Sequence, residues 1–143
     1  MSDRILVPID SSPLSMKALR DALTNHSDAE IHVIYVVDPP DPTFPPWEEP
    51  SLGEGARDRW ENLTAELFDD AQDVAAEHGV ELTTAMLVGK PARKIVEYAE
   101  EHGVTRIVMG SHGRSGVSRI LLGSVAEGVI RQSPVSVTVV RED

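Results

Sequence analysis

No cysteine occurs among the 143 residues, which excludes a disulfide framework, a thiol nucleophile and a cysteine-ligated metal. Lysine is nearly as scarce: Lys17, Lys90 and Lys94 stand against 24 Asp and Glu, and the formal net charge is -11. Such a charge disfavours nucleic acid as a general partner. The same balance suits ordinary acidic solubility and also adaptation to high salt. Long apolar runs are missing too. Met1-Ser2-Asp3-Arg4 is followed by an apolar run of only five residues, far short of the ~20 that a membrane span requires. A soluble cytoplasmic chain without signal peptide or membrane insertion is therefore expected. Two familiar phosphate loops are also absent. Gly89-Lys90 runs into Pro91, and Thr84 stands where a Walker loop needs its first glycine. No G-x-G-x-x-G follows the first apolar run, which weakens a dinucleotide reading.

What is present is a regular alternation. Residues 1–143 are expected to form one domain with a single core. Arg4-Ile5-Leu6-Val7-Pro8-Ile9-Asp10 is nearly continuous in apolar residues, as a strand buried on both faces requires. Ser12-Pro13 reads as a helix cap followed by proline in the first turn. Ala18, Leu19, Ala22 and Leu23 then supply an apolar helical stripe. Ile31–Val37 reads as a second strand, interrupted only by His32. Six of the ten prolines fall in residues 38–55, which predicts a loop without regular structure. A helix from near Ala56 to His78, with Trp60 on its core face, should follow. Next come a strand (81–88), a helix opened by Pro91 and ending at His102, and a strand (105–109). A helix from Gly123-Ser124 and a strand, Val135–Val140, complete the pattern. Glu77-His78-Gly79-Val80 and Glu101-His102-Gly103-Val104 repeat at two helix-to-strand junctions. There glycine permits a left-handed cap and the histidine favours the helix dipole. Strands alternating with helices imply βαβ crossovers and a mainly parallel sheet, an α/β class. In such sheets ligands bind beyond the carboxyl ends of the strands, where strand order reverses.

One loop carries the chemistry. Residues 110–124, GSHGRSGVSRILLGS, hold Gly110, Gly113, Gly116 and Gly123, four serines, Arg114 and Arg119. Glycines let backbone N–H groups approach an anion closely, and a helix start at Gly123-Ser124-Val125 adds free N–H groups and a positive dipole end. The dipole contributes only ~0.3–1 kcal/mol at an exposed site, so several donors must converge. Local charge agrees: residues 104–141 carry five arginines and one acid, a net +4, in a chain of -11. Anion binding is the reading that chemistry favours over a plain flexible loop.

The spacing Gly110-x2-Gly113-x9-Gly123-Ser124 resembles the nucleotide-binding pattern of the universal stress protein family, in its ATP-binding branch. The resemblance extends to Ile-Leu-Val-Pro-Ile-Asp at residues 5–10, Val36-Val37-Asp38, Val108-Met109-Gly110-Ser111-His112-Gly113 and the valine-rich final strand. It implies a three-layer, open, Rossmann-like fold with a five-stranded parallel sheet in order 3-2-1-4-5. ATP would lie across the ends of the first and fourth strands. Pro8, Ile9 and Asp10 would border the adenosine, with Asp10 near the ribose. Val36 would offer backbone hydrogen bonds to the adenine edge, while Met109 and Gly110 would line the ribose and adenine side. Gly113, Gly123, Ser124 and Val125 would hold the phosphates. His112 and Arg114 lie within the loop, where the motif does not dictate residue type. A magnesium or manganese ion would ride on the phosphate oxygens.

Taken alone, Asp10 reads as a turn or cap residue, and His112 reads equally as an exposed loop histidine. The loop with Phe44 and Trp47 either folds over the nucleotide or is a surface connection. The resemblance further implies a homodimer around Val135–Val140, since an edge strand exposes unpaired backbone groups. In function it implies a nucleotide-dependent stress-response or regulatory module acting on an unknown protein partner. The alternatives are a slow ATPase or nucleotidyl-transfer enzyme, and a nucleotide-free protein-interaction dimer. The loop's lack of a carboxylate, and the absence of the S-G-G-x-D-S and H-I-G-H motifs of adenylating enzymes, argue against a dedicated enzyme.

Overall fold

The most apolar segment takes the most enclosed place. Strand β1 (Arg4–Pro8) lies at the centre of a five-stranded sheet, and Ile5, Leu6 and Val7 are all buried. The computed structural model describes residues 3–10, 12–37, 54–111 and 122–141. After β1 come α1 (Pro13–Asn25), β2 (Glu30–Val37), α2 (Glu54–Glu77), β3 (Leu82–Val88), α3 (Pro91–Glu101), β4 (Arg106–Gly110), α4 (Ser124–Gln132) and β5 (Ser136–Val140). Sheet order is β3-β2-β1-β4-β5, with every pairing parallel. This is the expected α/β architecture, with β1 and β4 adjacent where the order reverses.

Alternation along β1 divides the core. Ile5, Val7 and Ile9 pack with Ala18, Leu19 and Leu23 of α1 and with Leu67, Ala71 and Val74 of α2. Leu6 faces the other way and packs with Ile95 and Tyr98 of α3, Ile107 of β4 and Val129 of α4. Helices thus cover both faces, making three layers. Full burial of one such aliphatic side chain contributes about 1.5–3 kcal/mol relative to exposure.

Local signals explain the helix ends. Ser12 Oγ accepts the Ser15 N–H at 3.3 Å, and Pro13 occupies the first turn of α1. At the far ends of α2 and α3, Gly79 (φ 68°) and Gly103 (φ 63°) take the left-handed conformation. His78 Nδ1 meets Val74 O at 3.1 Å, and His102 Nδ1 meets Tyr98 O at 3.0 Å. Each histidine, with its Nδ1–H donating, satisfies a carbonyl of the last turn, as the repeat predicted.

Boundaries differ slightly. Helix α2 starts at Glu54, so residues 54–55, expected in the loop, are helical. Strands β3, β4 and β5 each begin one residue later than expected, and β2 one residue earlier. Pattern reading places ends only to within one or two residues. The loop at 38–53 with Phe44 and Trp47, the Trp60 side chain, and residues 112–121 lie outside what is described. Among the described residues no helix is long and apolar enough to cross a membrane.

Candidate functional site

The site begins where the central ladder fails. Ile9 N–H donates to Ile34 O of β2 at 2.9 Å, so by alternation Pro8 turns its backbone toward β4. On that side the register pairs Ile5 with Arg106 and Leu6 with Ile107, and then stops. Its next donor would be Pro8, which has no N–H. Strand β4 continues without β1, keeping its pairing with β5 from Arg106 to Gly110. One proline therefore ends the β1–β4 ladder at the switch point, the place where open parallel sheets leave a ligand crevice.

A second opening follows on β2. Ile34 O faces β1, and Val37 O faces β3, where it accepts the Gly89 N–H at 2.9 Å. Val36 lies two residues beyond Ile34, so its N–H and C=O point toward β1. The β1–β2 ladder ends with the Ile9 bond, leaving that pair facing the crevice without a described partner.

The third side is the start of α4. Ser111 N–H donates to Val140 O at 2.8 Å, and Gly123 N–H donates to Ser111 O at 2.7 Å. These bonds tie the end of β4 to the end of β5 and to the cap of α4. Gly123 caps α4 in an extended conformation (φ -68°, ψ 160°) with no side-chain hydrogen bond to the first turn. The N–H groups of that turn are helix orphans, positioned for an anion. Ser124 is exposed and Val125 half-buried.

Pro8, Ile9, Asp10, Val36, Met109, Gly110, Gly123, Ser124 and Val125 thus gather at the carboxyl ends of the strands. They do not all contribute side chains. Ile9 is buried in the α1–α2 core and Met109 in the α3–α4 core, so each offers the crevice its backbone. His112, Gly113 and Arg114 lie outside the described residues. Asp10 is a turn residue through one oxygen: its Oδ1 accepts the Ser12 N–H at 2.8 Å. Its Oδ2 has no described partner.

Two features escaped the sequence reading. Ser15 is buried and bonds both backbone groups of Asp10. Its position on the apolar stripe of α1, one turn before Leu19, was the available signal. The second is a polar cluster at the opposite, amino ends of the strands. There His32, buried in β2, contacts Tyr98 Oη at 2.7 Å through Nδ1 and Glu30 Oε2 at 2.7 Å through Nε2. An ionised Glu30 can only accept, so Nε2 carries a hydrogen, and in the neutral ring Nδ1 is then the acceptor of the Tyr98 hydroxyl. The hydrogen bond from His32 holds the Glu30 carboxyl below its ordinary value, helped by Arg4 at 3.0 Å. Burial pushes the Tyr98 hydroxyl up, aided by the Glu30 charge. An open depression of about 760 Å³ beside Arg4, Glu30 and Thr105 lies at this end, remote from the crevice.

Comparison with known proteins agrees with this architecture. The model of the universal stress protein family matches residues 1–141. A universal stress protein of Methanocaldococcus jannaschii is 38% identical over 148 aligned residues, covering 97% of this chain and 82% of that protein. The universal stress protein UspA of Lactobacillus plantarum superposes with a TM-score of 0.83 at 29% identity, over 97% of each chain. Another universal stress protein, solved in complex with cAMP, superposes with a TM-score of 0.71 at 25% identity, over 99% of this chain and 98% of that one. A match across nearly the full length, in sequence and in fold, makes this chain a member of the universal stress protein family.

Proposed function

We propose that the chain is an ATP-binding regulatory module whose ligand lies in the crevice between β1 and β4. The observation that carries this reading is the open backbone pair of Val36. A donor and an acceptor side by side, aimed over the end of β1, complement a base edge that offers an amino donor beside a ring-nitrogen acceptor, as adenine does. Asp10, at the end of β1, is the acceptor for ribose hydroxyls. Phosphates extend toward Gly123, Ser124 and Val125, where the α4 N–H groups stabilise negative charge. Gly113, His112 and Arg114 belong to the same loop and complete the phosphate cradle, and a magnesium or manganese ion travels with the triphosphate. That a relative at 25% identity was solved with cAMP supports an adenine nucleotide as the ligand class.

Bound nucleotide acts by favouring one state of the chain over another, to the extent that its affinity for the two differs. The partner for that state is a protein. Strand β5 has only β4 beside it among the described residues, and its open edge is where a second copy pairs. Sedimentation at twice the monomer mass is the expected result, and a strictly monomeric chain would remove the dimer.

The test of nucleotide binding starts from protein purified without added nucleotide. Denaturing it and weighing what is released, then titrating ATP calorimetrically, should reveal adenine nucleotide and micromolar binding. A Gly113→Val, Gly123→Val double variant should fold, by circular dichroism, and bind none. No released nucleotide and no heat at millimolar ATP would sink the reading.

A further inference from the structure

The turn between β1 and α1 converges on one buried hydroxyl. Ser15 Oγ lies 2.8 Å from Asp10 O and 2.9 Å from Ser12 O, and accepts the Asp10 N–H at 3.2 Å. A serine hydroxyl has one hydrogen and two lone pairs. Its hydrogen is shared between the two carbonyls while a lone pair takes the amide. Both backbone polar groups of Asp10 therefore end on the same side chain. Ser15 is only 5% exposed, so water does not compete for it freely. The Ser12 N–H then pins Oδ1 of Asp10 at 2.8 Å. Main chain and carboxylate are both held, and Oδ2 is left with a set direction.

We infer that Ser15 is a positioning residue that aims the Asp10 carboxylate, and thereby gives the crevice its preference for a ligand bearing a vicinal diol such as ribose. This rests on the nucleotide reading above. The alternative is that Ser15 and Asp10 only stabilise a turn. In that case Ser15→Ala would disturb the neighbouring backbone of Pro8 and Ile9 and weaken every nucleotide alike. A positioning role acts through the carboxylate and so touches only ligands with hydroxyls for it to accept.

The experiment compares ATP with 2′,3′-dideoxy-ATP, each with magnesium, by calorimetry on the wild type, Ser15→Ala and Ser15→Thr. Wild type should prefer ATP at least about tenfold, the scale of a single hydrogen bond to a charged group. Ser15→Ala should lose most of that preference by weakening ATP and leaving the dideoxy compound unchanged. Ser15→Thr, which keeps the hydroxyl, should restore it. Should Ser15→Ala not fold, Ser15→Cys fills a similar space with a weak hydrogen-bonding group and takes its place. Equal weakening of both ligands, or an undiminished preference, overturns the positioning role while leaving the nucleotide site intact. A wild type that binds neither compound instead overturns the nucleotide reading, and this inference with it.

Discussion

The two ends of this parallel sheet treat polar groups in opposite ways. At the amino ends, Arg4, Glu30, His32, Tyr98 and His102 close on one another. Arg4 bonds Glu30 and the His102 carbonyl, Glu30 bonds His32, His32 bonds Tyr98, and the Tyr98 ring stacks on His102 with centroids 3.8 Å apart. At the carboxyl ends, Pro8 interrupts one ladder, Val36 outruns another, and α4 starts without a side-chain cap. A closed network returns its desolvation cost within the protein. Open groups keep their water and incur that cost only if a ligand displaces it. The contrast separates residues that hold the fold from residues that await a partner.

The largest expected effect tests that separation directly. His32→Ala removes a buried ring, leaves a cavity and strips the buried Tyr98 hydroxyl of its acceptor. The cost should be about 2–4 kcal/mol, read as a lower midpoint in urea unfolding. ATP affinity, measured where the variant is folded, should not change. A large loss of affinity would show that the amino end is coupled to the crevice and would break the comparison.

A smaller effect should reach both properties at once. Gly128 sits where α4 crosses α3, and a Cβ placed there would lie 2.8 Å from Ala92 Cβ. Neither atom can swing aside, so Gly128→Ala must push the helices apart. Overpacking costs about 1–3 kcal/mol, and the better helix propensity of alanine returns about 1. A net loss of about 1 kcal/mol is expected, with a severalfold loss of ATP affinity if the N–H groups of the displaced helix hold the phosphates as proposed. Destabilisation without loss of affinity would show that the start of α4 does not depend on its seat against α3.

How much of this was legible follows the same division. Order and type of the elements could be read because apolar period, prolines at helix starts and glycines at helix ends are local. The β3-β2-β1-β4-β5 order came only through the family resemblance, since strand neighbours are a property of the folded sheet. Pro8 was named from the resemblance, as a neighbour of the adenosine. That it ends the ladder to β4 depends on which neighbour it faces, and hence on register. Val36 was named from the resemblance, and its open backbone follows from alternation counted from the Ile34 and Val37 bonds. His32 was visible as the interruption in an apolar strand, but its partner Tyr98 is 66 positions away. No local pattern announces such a pair. Ser15 resembled one more polar residue on a helix until its three contacts were known.

The finest test of the comparison uses pH, because the ionisable groups with displaced affinities at the amino end work in opposite directions. Glu30 is held below its ordinary value of 4.5, chiefly by the hydrogen bond from His32. Its contribution is therefore present above 4.5 and lost as pH falls through the lower folded-state value. Tyr98 is held above its ordinary value of 10.0 by burial. The folded state keeps a proton that the unfolded chain releases, so stability is present below 10.0 and declines as pH rises beyond it. Urea midpoints across pH should then fall on both sides, with Glu30→Gln flattening the acid limb and Tyr98→Phe the alkaline one. Glu97 on α3, lowered chiefly by its hydrogen bond to Lys94, adds to the acid limb, so Glu30→Gln should flatten it in part only. Raised salt should shrink the share of Glu97, whose partners Arg93 and Lys94 lie at the surface, more than that of Glu30, whose partner His32 is buried. An acid limb untouched by Glu30→Gln would mean that the cluster does not hold the amino end, and that its closed geometry contributes packing alone.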